Sequence, residues 1–564
     1  MKRSSLFPLL VLGLMTILAL GLLAVPLKLP LGALYWDLYF TIDGAYRTTL
    51  GQVPHVDFFV PSGALPYYLL AATQHMFPQS QPLLAAQYGI LLITLPLMAL
   101  VVVDAARRSQ ALALWLAIPF ALLTLLPFNA ISFYPAPGVD GVGLYNRQSG
   151  QVLYVLVAAM FAMADGWRRT TVLSLALAAL FFLKINAFAP AAVLLVYGMV
   201  AGLVTPRSGL TTVGALIALV LLAGLPTGML LPYLSDIGAL ASHNAGQLSG
   251  RLFTLLSVKF DVILPLAILA CTLVLVDWRA SMPYLRILFT GSIAARVAAL
   301  RHVLTRDGVM LGVALVMAVV IENQNTGSQE FAFLWPLLLV ILLRIAARPA
   351  SDVRWRSAIM ILFATATLPT AVNILHMAAR TMAVAPGFVG LGRPELKGLD
   401  QVIMREQYRD HALAAQKHYP RARATYEEFA REGQKPSTIL YSEIEYQTFY
   451  LLDQADAMGA IRVREQARGR AFDSVYTLGI LDPMPYLLGK TPIKGVTISL
   501  DIGRGFPAAR RERLVEAARA AEVLLLPRCP ITPYILDVEA IFAPVLAERR
   551  REPLNPCWDL AVRP

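Results

Sequence analysis

The first two thirds of the chain alternate long apolar runs with short polar breaks, and the last third does not. A membrane-spanning helix needs about 20 mostly apolar residues, and eleven runs before residue 375 reach or approach that length. The predicted spans are residues 6–25, 83–103, 112–128, 151–164, 172–182, 188–204, 210–230, 260–276, 309–321, 331–346 and 358–374. We therefore predict a polytopic α-helical membrane part of about eleven transmembrane helices in residues 1–376 and a soluble domain in residues 377–564.

The composition supports this division and excludes one class of partner. Only 15% of the 564 residues are charged and the mean hydropathy is +0.61, whereas soluble proteins carry about 25% charged residues. The net charge of +12 forms no basic stripe with interleaved aromatic residues on a soluble segment, so nucleic-acid binding is excluded. The first apolar run lacks a clear small-residue cleavage site, so we expect a retained helix rather than a removed signal peptide.

The distribution of basic residues predicts the orientation, because loops rich in Lys and Arg stay in the cytoplasm. With a cytoplasmic N-terminus, the basic residues on the inner side are Lys2, Arg3, Arg107, Arg108, Arg168, Arg169, Arg207, Arg279, Arg286, Arg296, Arg301, Arg306, Arg344, Arg348, Arg354 and Arg356. The outer side, before the tail, has only Lys28, Arg47, Arg147, Lys184, Arg251 and Lys259. We therefore expect a multi-pass protein of the cytoplasmic (inner) membrane whose tail is periplasmic or extracellular.

The tail alternates helical and strand-like patterns, which favours an α/β domain with a largely parallel sheet. Helices are predicted over residues 400–418, 421–432, 510–521 and 533–551, and strands over 438–441, 474–478, 496–500, 523–526 and 558–562. On an exported tail, Cys529 and Cys557 can form a disulfide. Two unpaired thiols are the equal alternative.

The first predicted outer loop is unusually rich in aromatic and acidic residues. It carries Asp37 and Asp43, followed at residues 51–65 by Gly-Gln-Val-Pro-His-Val-Asp-Phe-Phe-Val-Pro-Ser-Gly-Ala-Leu. Aromatic rings with a polar edge settle at the headgroup level of a bilayer, and the prolines and glycines divide the loop into short pieces. We expect short helices along the outer membrane surface, with carboxylates directed toward the helix bundle.

This stretch, with an acidic residue shortly after the first span, resembles the GT-C superfamily of membrane glycosyltransferases. That superfamily includes protein O-mannosyltransferases and aminoarabinose transferases. The resemblance implies an inverting glycosyltransferase with a polyprenyl-phosphate sugar donor, in which Asp43 is the catalytic base and Asp57 is the aspartate of an Asp-Phe pair. The commoner family pattern is Asp-Glu, whereas Gly44 follows Asp43 here. Whether Asp43 acts alone, with Asp57 or with Asp37 is therefore open.

The chemistry asks for the same residue types independently of the resemblance. A carboxylate that takes the proton of an acceptor hydroxyl accelerates transfer about 10²–10⁴-fold, and the leaving phosphate needs cationic donors. Arg147 and Lys184 are candidates for phosphate contact, because charges near bilayer depth are costly and often functional. In the alternative, Arg147 pairs with Asp140 to fold its loop and Lys184 extends to the interface. Further candidate substrate-binding residues are Arg47, Tyr46, His55, His243 and Glu330.

The sequence contains few motifs for other kinds of reaction. The seven histidines show no His-x-His or His-Glu-x-x-His spacing, so no zinc site is predicted. Arg and Lys can manage a single phosphate leaving group, so we expect no obligatory cofactor, with a divalent cation as an optional addition. The partners are then a polyprenyl-phosphate-linked sugar, membrane lipids and a lipid, glycan or protein acceptor. Two alternatives stay open: a transporter or flippase of lipid-linked glycans, and an O-antigen polymerase or ligase-like protein.

Overall fold

The computed structural model describes residues 6–131, 136–325, 327–347, 353–434 and 443–564. The described chain is mostly helical, with a large N-terminal helical part and a smaller tail that holds most of the strands. The strand expected at residues 438–441 lies outside the described residues.

The N-terminal part follows the predicted hydropathy closely. Its helices are α1 (Leu6–Ala24), α2 (Trp36–Thr49), α3 (Leu65–Met76), α4 (Pro82–Gly89), α5 (Leu91–Ala106), α6 (Gln110–Leu125), α7 (Leu144–Ala162), α8 (Trp167–Leu183), α9 (Ile185–Val200), α10 (Pro206–Gly224), α11 (Leu230–Asn244), α12 (Leu248–Val258), α13 (Phe260–Thr290), α14 (Ile293–Leu304), α15 (Asp307–Glu322), α16 (Trp335–Ala346) and α17 (Val353–Val384). Every predicted span overlaps one of these helices, and the span at 83–103 is divided between α4 and α5.

Fewer than eleven transmembrane helices are found when only the length and composition of the observed helices are considered. Within the described residues, five helical segments are long and apolar enough to cross a membrane, and α14 with α15 adds a sixth if that bent pair is one span. Helices α6 and α9 are apolar but shorter. The protein is thus a multi-pass membrane protein, and the count of about eleven stays a prediction. Helix α17 continues to Val384, past the boundary expected at residue 376.

Helix α7 forms the centre of the bundle. All its residues from Val152 to Ala162 are buried, as expected of a helix that is apolar on every side, and it packs against α5, α8 and α16. Its first turns are buried as well but polar, with Asn146, Arg147, Gln148 and Ser149. A polar layer therefore closes one end of an otherwise apolar bundle.

The first outer loop folds into the expected short helices, α2 and α3, which pack against each other. Gly44 lies on α2 at their contact, where an added Cβ would come within 2.3 Å of the Tyr67 ring. A second carboxylate after Asp43 would not fit there. The departure from the Asp-Glu pattern is therefore a packing requirement of the α2–α3 contact.

The connection between the predicted spans at 210–230 and 260–276 is helical rather than a loop. Helices α11 and α12 occupy it, joined by a short 3-10 turn at Ala245–Gln247. The reason is its alanine and leucine content, which favours helix and outweighs the scattered polar side chains.

The tail combines helices with a four-stranded sheet. Its helices are α18 (Glu406–Arg421), α19 (Arg423–Arg431), α20 (Ile444–Arg468), α21 (Met484–Leu488), α22 (Arg511–Ala518) and α23 (Pro533–Ala547). The strands of the whole chain are β1 (Leu29–Pro30), β2 (Val389–Gly390), β3 (Val402–Met404), β4 (Val475–Thr477), β5 (Val523–Pro527), β6 (Arg550–Asn555) and β7 (Trp558–Val562). The larger sheet has the order β4-β5-β7-β6.

The expectation of a largely parallel sheet is wrong. Strands β4 and β5 are parallel, but β7 runs antiparallel to both β5 and β6. The helix predicted to reach residue 551 ends at Ala547, and residues 550–555 form a strand that turns back into β7. The Asn555 side chain accepts a hydrogen bond from the Cys557 amide at 2.9 Å and closes that turn. The pattern at 496–500 is extended but forms only isolated bridges.

The tail and the membrane part share backbone pairing. Strand β1 follows α1 directly, yet it pairs in parallel with β3 of the tail. In the first outer loop, the Phe59 amide donates to the Val496 carbonyl at 2.8 Å. The two predicted domains are therefore joined by hydrogen bonds at the outer loop rather than only by the covalent link through α17.

Cys529 and Cys557 form a disulfide that closes a separation of 28 residues. Of the two alternatives left by the sequence, the bonded one is observed. It fixes the start of β7 to the segment that follows β5.

Gly63 lies where the first outer loop packs against the helix bundle. Its amide donates to the Leu183 carbonyl at 3.1 Å, and an added Cβ would lie 2.0 Å from the Phe182 carbonyl oxygen. We expect Gly63→Ala to destabilise the protein by about 1–3 kcal/mol, the usual cost of overpacking, seen as a lower melting temperature in detergent. Gly238→Ala, where no atom lies within 4 Å of the new Cβ, is the control. Equal melting of both variants would contradict this packing.

Candidate functional site

A large cavity lies between one end of the membrane helices and the tail. Its volume is about 1220 Å³, somewhat above the range of small-ligand sites. The walls come from α2, the first outer loop, α9, α11, α12, α15 and the tail segment 499–505. Its charged lining residues are Asp37, Lys184, Asp236, Arg251, Asp501, Arg504 and Asp537.

Asp37 is the carboxylate that α2 presents to this cavity. It lies in the first turn of α2, and its Oδ2 accepts a hydrogen bond from the Gly143 amide at 2.8 Å. Gly143 has φ of +77°, and a Cβ there would meet the Gly327 carbonyl oxygen at 2.4 Å, so only glycine can offer its amide in this way. Burial raises the pKa of Asp37 to about 6, while the Gly143 hydrogen bond and the charges of nearby basic residues oppose the rise.

Lys184 faces the same cavity from the turn between α8 and α9. Its Nζ donates to Asn146 Oδ1 at 2.6 Å and to Asn325 Oδ1, and it lies 5.4 Å from the centre of the Tyr145 ring. These contacts hold the amine in place rather than letting it extend to the interface. The structure therefore places the Lys184 amine in the cavity lining, and its phosphate contact stays a prediction.

Two further cations reach the cavity. Arg251 on α12 donates to Gln324 Oε1 at 3.0 Å and to Asn244 Oδ1 at 3.1 Å. Arg504 enters from the tail, and the Asn244 side chain donates to its carbonyl at 3.1 Å. The charge of Arg504 acts on Asp37 and on Arg251. The sequence analysis did not single out either arginine as a site residue. For Arg504 the flanking glycines of Gly503-Arg504-Gly505 were the available signal.

Asp43 lies outside this cavity. It is fully buried, and its Oδ2 accepts from Arg47 Nε at 2.9 Å. Arg47 also donates to the Ile493 carbonyl at 2.9 Å, so the pair ties α2 to the tail. The structure thus gives Asp43 and Arg47 a structural setting, and neither is among the residues that line the cavity. The catalytic assignment of Asp43 stays a prediction.

A second carboxylate, Asp482 of the tail, shares the charge of Arg47 with Asp43. Burial and repulsion by Asp43 raise the pKa of Asp482 to about 8. Burial also raises the pKa of Asp43, but its ion pair with Arg47 opposes this. We infer that Asp43 is the ionised member at neutral pH and that Asp482 keeps its proton.

Asp57 and Tyr46 also lie away from the cavity lining. Asp57 Oδ2 accepts from the Val53 amide at 2.8 Å, and Lys494 Nζ lies 3.1 Å from Asp57 Oδ1. Tyr46 donates its hydroxyl to the Lys490 carbonyl at 3.2 Å. Both side chains fasten the first outer loop to itself or to the tail, and substrate roles for them stay predictions.

Arg147 is buried within the polar layer at the start of α7. It donates to Gln87 Oε1 at 3.1 Å, to Asn129 Oδ1 at 2.7 Å and to the Val142 carbonyl at 3.0 Å. Its charge acts on Asp140 and Asp37. These contacts favour the loop-folding alternative, and the phosphate role stays a prediction.

The remaining candidates are divided between the cavity and its surroundings. His55 lines the cavity and lies 2.9 Å from Asp236 Oδ2 through its Nδ1. His243 lies near the end of α11, next to Asn244, which does line it. Glu330 is buried and accepts from the Thr370 hydroxyl at 2.8 Å, away from the lining. The structure therefore brings together Asp37, Lys184 and His55 from the sequence candidates.

No metal centre is evident in the part of the chain that the structure describes. No three or more His, Cys, Asp or Glu side chains are grouped there so that they could hold an ion. The expectation about a divalent cation stays a prediction.

The chain is similar to solved protein structures. No family model matches the chain, and no curated protein matches it. Two crystal structures of ArnT from Cupriavidus metallidurans, one in the apo state and one bound to undecaprenyl phosphate, are similar over 97% of this chain and 97% of theirs. Sequence identity is 13% and 15%, with TM-scores of 0.40 and 0.39.

The buried pair of Asp43 and Asp482 predicts a specific pH dependence. The pKa of Asp482 is about 8 in the folded protein and about 4 in an unfolded chain. The folded state therefore holds a proton that the unfolded state has lost between these values, and stability falls as pH rises from about 4 to about 8. We expect Asp482→Asn to flatten the fall of melting temperature over this range. The exposed Asp410→Asn is the control, and an unchanged slope in Asp482→Asn would refute the assignment.

Proposed function

We propose that this protein is an inverting glycosyltransferase that moves a sugar from a polyprenyl-phosphate donor to an acceptor hydroxyl on the outer face of the cytoplasmic membrane. The observation that carries the proposal is the cavity itself. It holds a buried carboxylate, Asp37, together with Lys184, Arg251 and Arg504, at the junction of membrane helices and tail. A proton acceptor beside several cations suits attack by a hydroxyl on a carbon bonded to a phosphate.

The membrane side of the cavity favours a lipid-linked donor over a soluble one. Helices α9 and α15 pack together and contribute an apolar wall that consists of Ala189, Pro190, Val193, Met317 and Val320. Val193 and Val320 are about half exposed, by 51% and 49%. We infer that a polyprenyl chain extends from the cavity into the bilayer along this apolar wall.

The phosphate of the donor is assigned to the three cations. Lys184 is held in place by two asparagine side chains, and Arg251 is oriented by Gln324 and Asn244. A phosphate that gains charge as its bond to the sugar breaks is stabilised by such oriented donors. Arg504 comes from the tail, so the tail completes the anion site that the membrane helices begin.

Asp37 is the catalytic base in this proposal. With a pKa of about 6, it is mainly ionised at neutral pH and can accept a proton from the acceptor hydroxyl. The hydroxyl oxygen then bonds to the anomeric carbon from the face opposite the phosphate. The carbon–phosphate oxygen bond breaks, the polyprenyl phosphate leaves with its electron pair, and the configuration inverts. Asp43, by contrast, is occupied by Arg47.

The outer location is supported by two independent features. Basic residues are concentrated in the loops on the opposite side of the chain's predicted topology, as expected of cytoplasmic loops. The tail carries the Cys529–Cys557 disulfide, and disulfides persist in oxidising compartments such as the periplasm. The acceptor, whether lipid, glycan or protein, would then approach from the tail side.

Two asparagine substitutions separate the candidates for the base. Asp37→Asn can still accept the Gly143 hydrogen bond, so we expect normal folding with a loss of transfer of about 10²–10⁴-fold. Asp43→Asn removes the close ion-pair partner of the buried Arg47, which costs about 3–5 kcal/mol, so its main effect should be a lower melting temperature. The assay follows release of polyprenyl phosphate from a panel of labelled polyprenyl-phosphate sugars in nanodiscs containing a membrane lipid extract.

The opposite pattern would contradict the assignment of Asp37. That pattern is full transfer by Asp37→Asn together with an inactive but normally folded Asp43→Asn. Movement of the intact donor across vesicle membranes without release of polyprenyl phosphate would instead favour the transporter alternative.

Removal of the Lys184 charge tests the phosphate site. A hydrogen bond to a charged group contributes about 1.5–3 kcal/mol, so we expect Lys184→Met to weaken donor binding by roughly 10- to 100-fold. Lys494→Met removes an exposed cation outside the cavity lining and is the matched control. The measurement is the KM for the polyprenyl-phosphate sugar, or competition by polyprenyl phosphate alone. Equal constants in Lys184→Met and Lys494→Met would exclude Lys184 from the phosphate site.

A further inference from the structure

His55 has an environment that the transfer chemistry described above does not use. It lies in the first outer loop with φ of +68°, a conformation that non-glycine residues seldom adopt, and its amide donates to the Phe58 carbonyl at 2.8 Å. Its ring lies 4.7 Å from the Tyr233 ring. The loop therefore holds this imidazole in one position against α11.

Asp236 of α11 fixes the proton on the His55 ring. Its Oδ2 lies 2.9 Å from His55 Nδ1, and both side chains are only 2% exposed. Arg510 of the tail contacts Asp236 Oδ1, which leaves Asp236 Oδ2 to accept a hydrogen bond from His55 Nδ1–H. In a neutral imidazole with its proton on Nδ1, Nε2 is a hydrogen-bond acceptor.

The Nε2 atom of His55 is buried and has no hydrogen-bond partner among the described residues. Such an atom carries a desolvation cost in the absence of a ligand. His55 and Asp236 both line the cavity that contains Asp37. They also line a small adjoining cavity that leads to Arg510 and Arg513 of the tail. The His55 side chain thus lies between the proposed active site and the tail.

On the premise of the proposed function, we propose that His55 binds a second hydroxyl of the acceptor, and that the acceptor is therefore a carbohydrate rather than a single hydroxyl of a protein side chain. Asp37 is sufficient to accept the proton of the reacting hydroxyl. A second acceptor atom on a residue that lines the same cavity suits a molecule with another O–H group, and a sugar carries several. The Tyr233, Tyr145 and Tyr534 rings in the lining offer apolar faces of the kind against which sugar rings pack.

Two variants distinguish this role from a structural one. His55→Asn keeps a donor near the Nδ1 position for Asp236 but has no atom at the Nε2 position. His55→Gln places a polar atom near Nε2 and gives up the contact with Asp236. If His55 only fastened the loop, His55→Asn would resemble the wild type and His55→Gln would be the damaged protein.

The test uses decyl β-D-glucopyranoside and 1-decanol as probes, with binding to nanodisc-embedded protein measured by saturation-transfer NMR and calorimetry. We expect the glucoside to bind about 3- to 10-fold more weakly to His55→Asn than to the wild type, as loss of a neutral hydrogen bond implies. Binding of 1-decanol and of polyprenyl phosphate should be unchanged, and His55→Gln should retain part of the glucoside affinity. Melting temperatures of both variants serve as the folding control.

Three results would overturn the inference. They are equal glucoside affinity in wild type and His55→Asn, equal loss of glucoside and 1-decanol binding, and weaker binding of the donor instead of the glucoside. These results are separable from failure of the transfer reaction. If no polyprenyl-phosphate sugar is turned over but the glucoside difference persists, the proposed function fails while the His55 hydroxyl site stands.

Discussion

Charged side chains can be buried beside a bilayer only if the protein supplies partners for them, and here the tail supplies many of those partners. Arg47 is neutralised by Asp43 and held by the Ile493 carbonyl, while Arg510 of the tail neutralises Asp236. Backbone pairing between Phe59 and Val496 fixes the tail against the first outer loop. Without this closure, the cavity would lose one wall and its carboxylates would face open water.

The same closure divides the acidic residues of the first outer loop into two groups. Asp43 and Asp57 are tied to Arg47 and Lys494 and hold the loop together. Asp37 faces the cavity and accepts a hydrogen bond from the Gly143 amide. Burial without a close ion pair is what lifts its pKa toward neutrality, the range in which a general base is most effective.

Hydropathy predicted the helices of the membrane part because, in lipid, an apolar run of that length satisfies its backbone hydrogen bonds by forming a helix. The short outer helices and the start of β7 were also predicted correctly. The strand order of the tail sheet was not predicted, because the charged residues of β6 resemble the end of a helix. The pairing of β6 with β7 also depends on the turn at Asn555. The segment at α11 and α12 was misjudged since scattered polar residues on a helix resemble those of a loop.

Only some residues of the candidate site could be predicted from the sequence. Lys184 and His55 were found because they interrupt apolar or aromatic stretches. Asp37 and Asp43 are six residues apart on one helix, so the sequence could not decide which of them faces the cavity. Arg504 is distant in the chain, and its approach depends on the tail folding back over α11 and α12.

We propose that the cavity accepts a polyprenyl phosphate whose chain leaves along α9 and α15. Photo-crosslinking with a diazirine-labelled polyprenyl phosphate, followed by peptide mapping, tests this path. We expect labelling of α9 and α15 around Val193 and Val320 that unlabelled polyprenyl phosphate competes away. Labelling spread over lipid-facing helices such as α10 and α13, without competition, would contradict it.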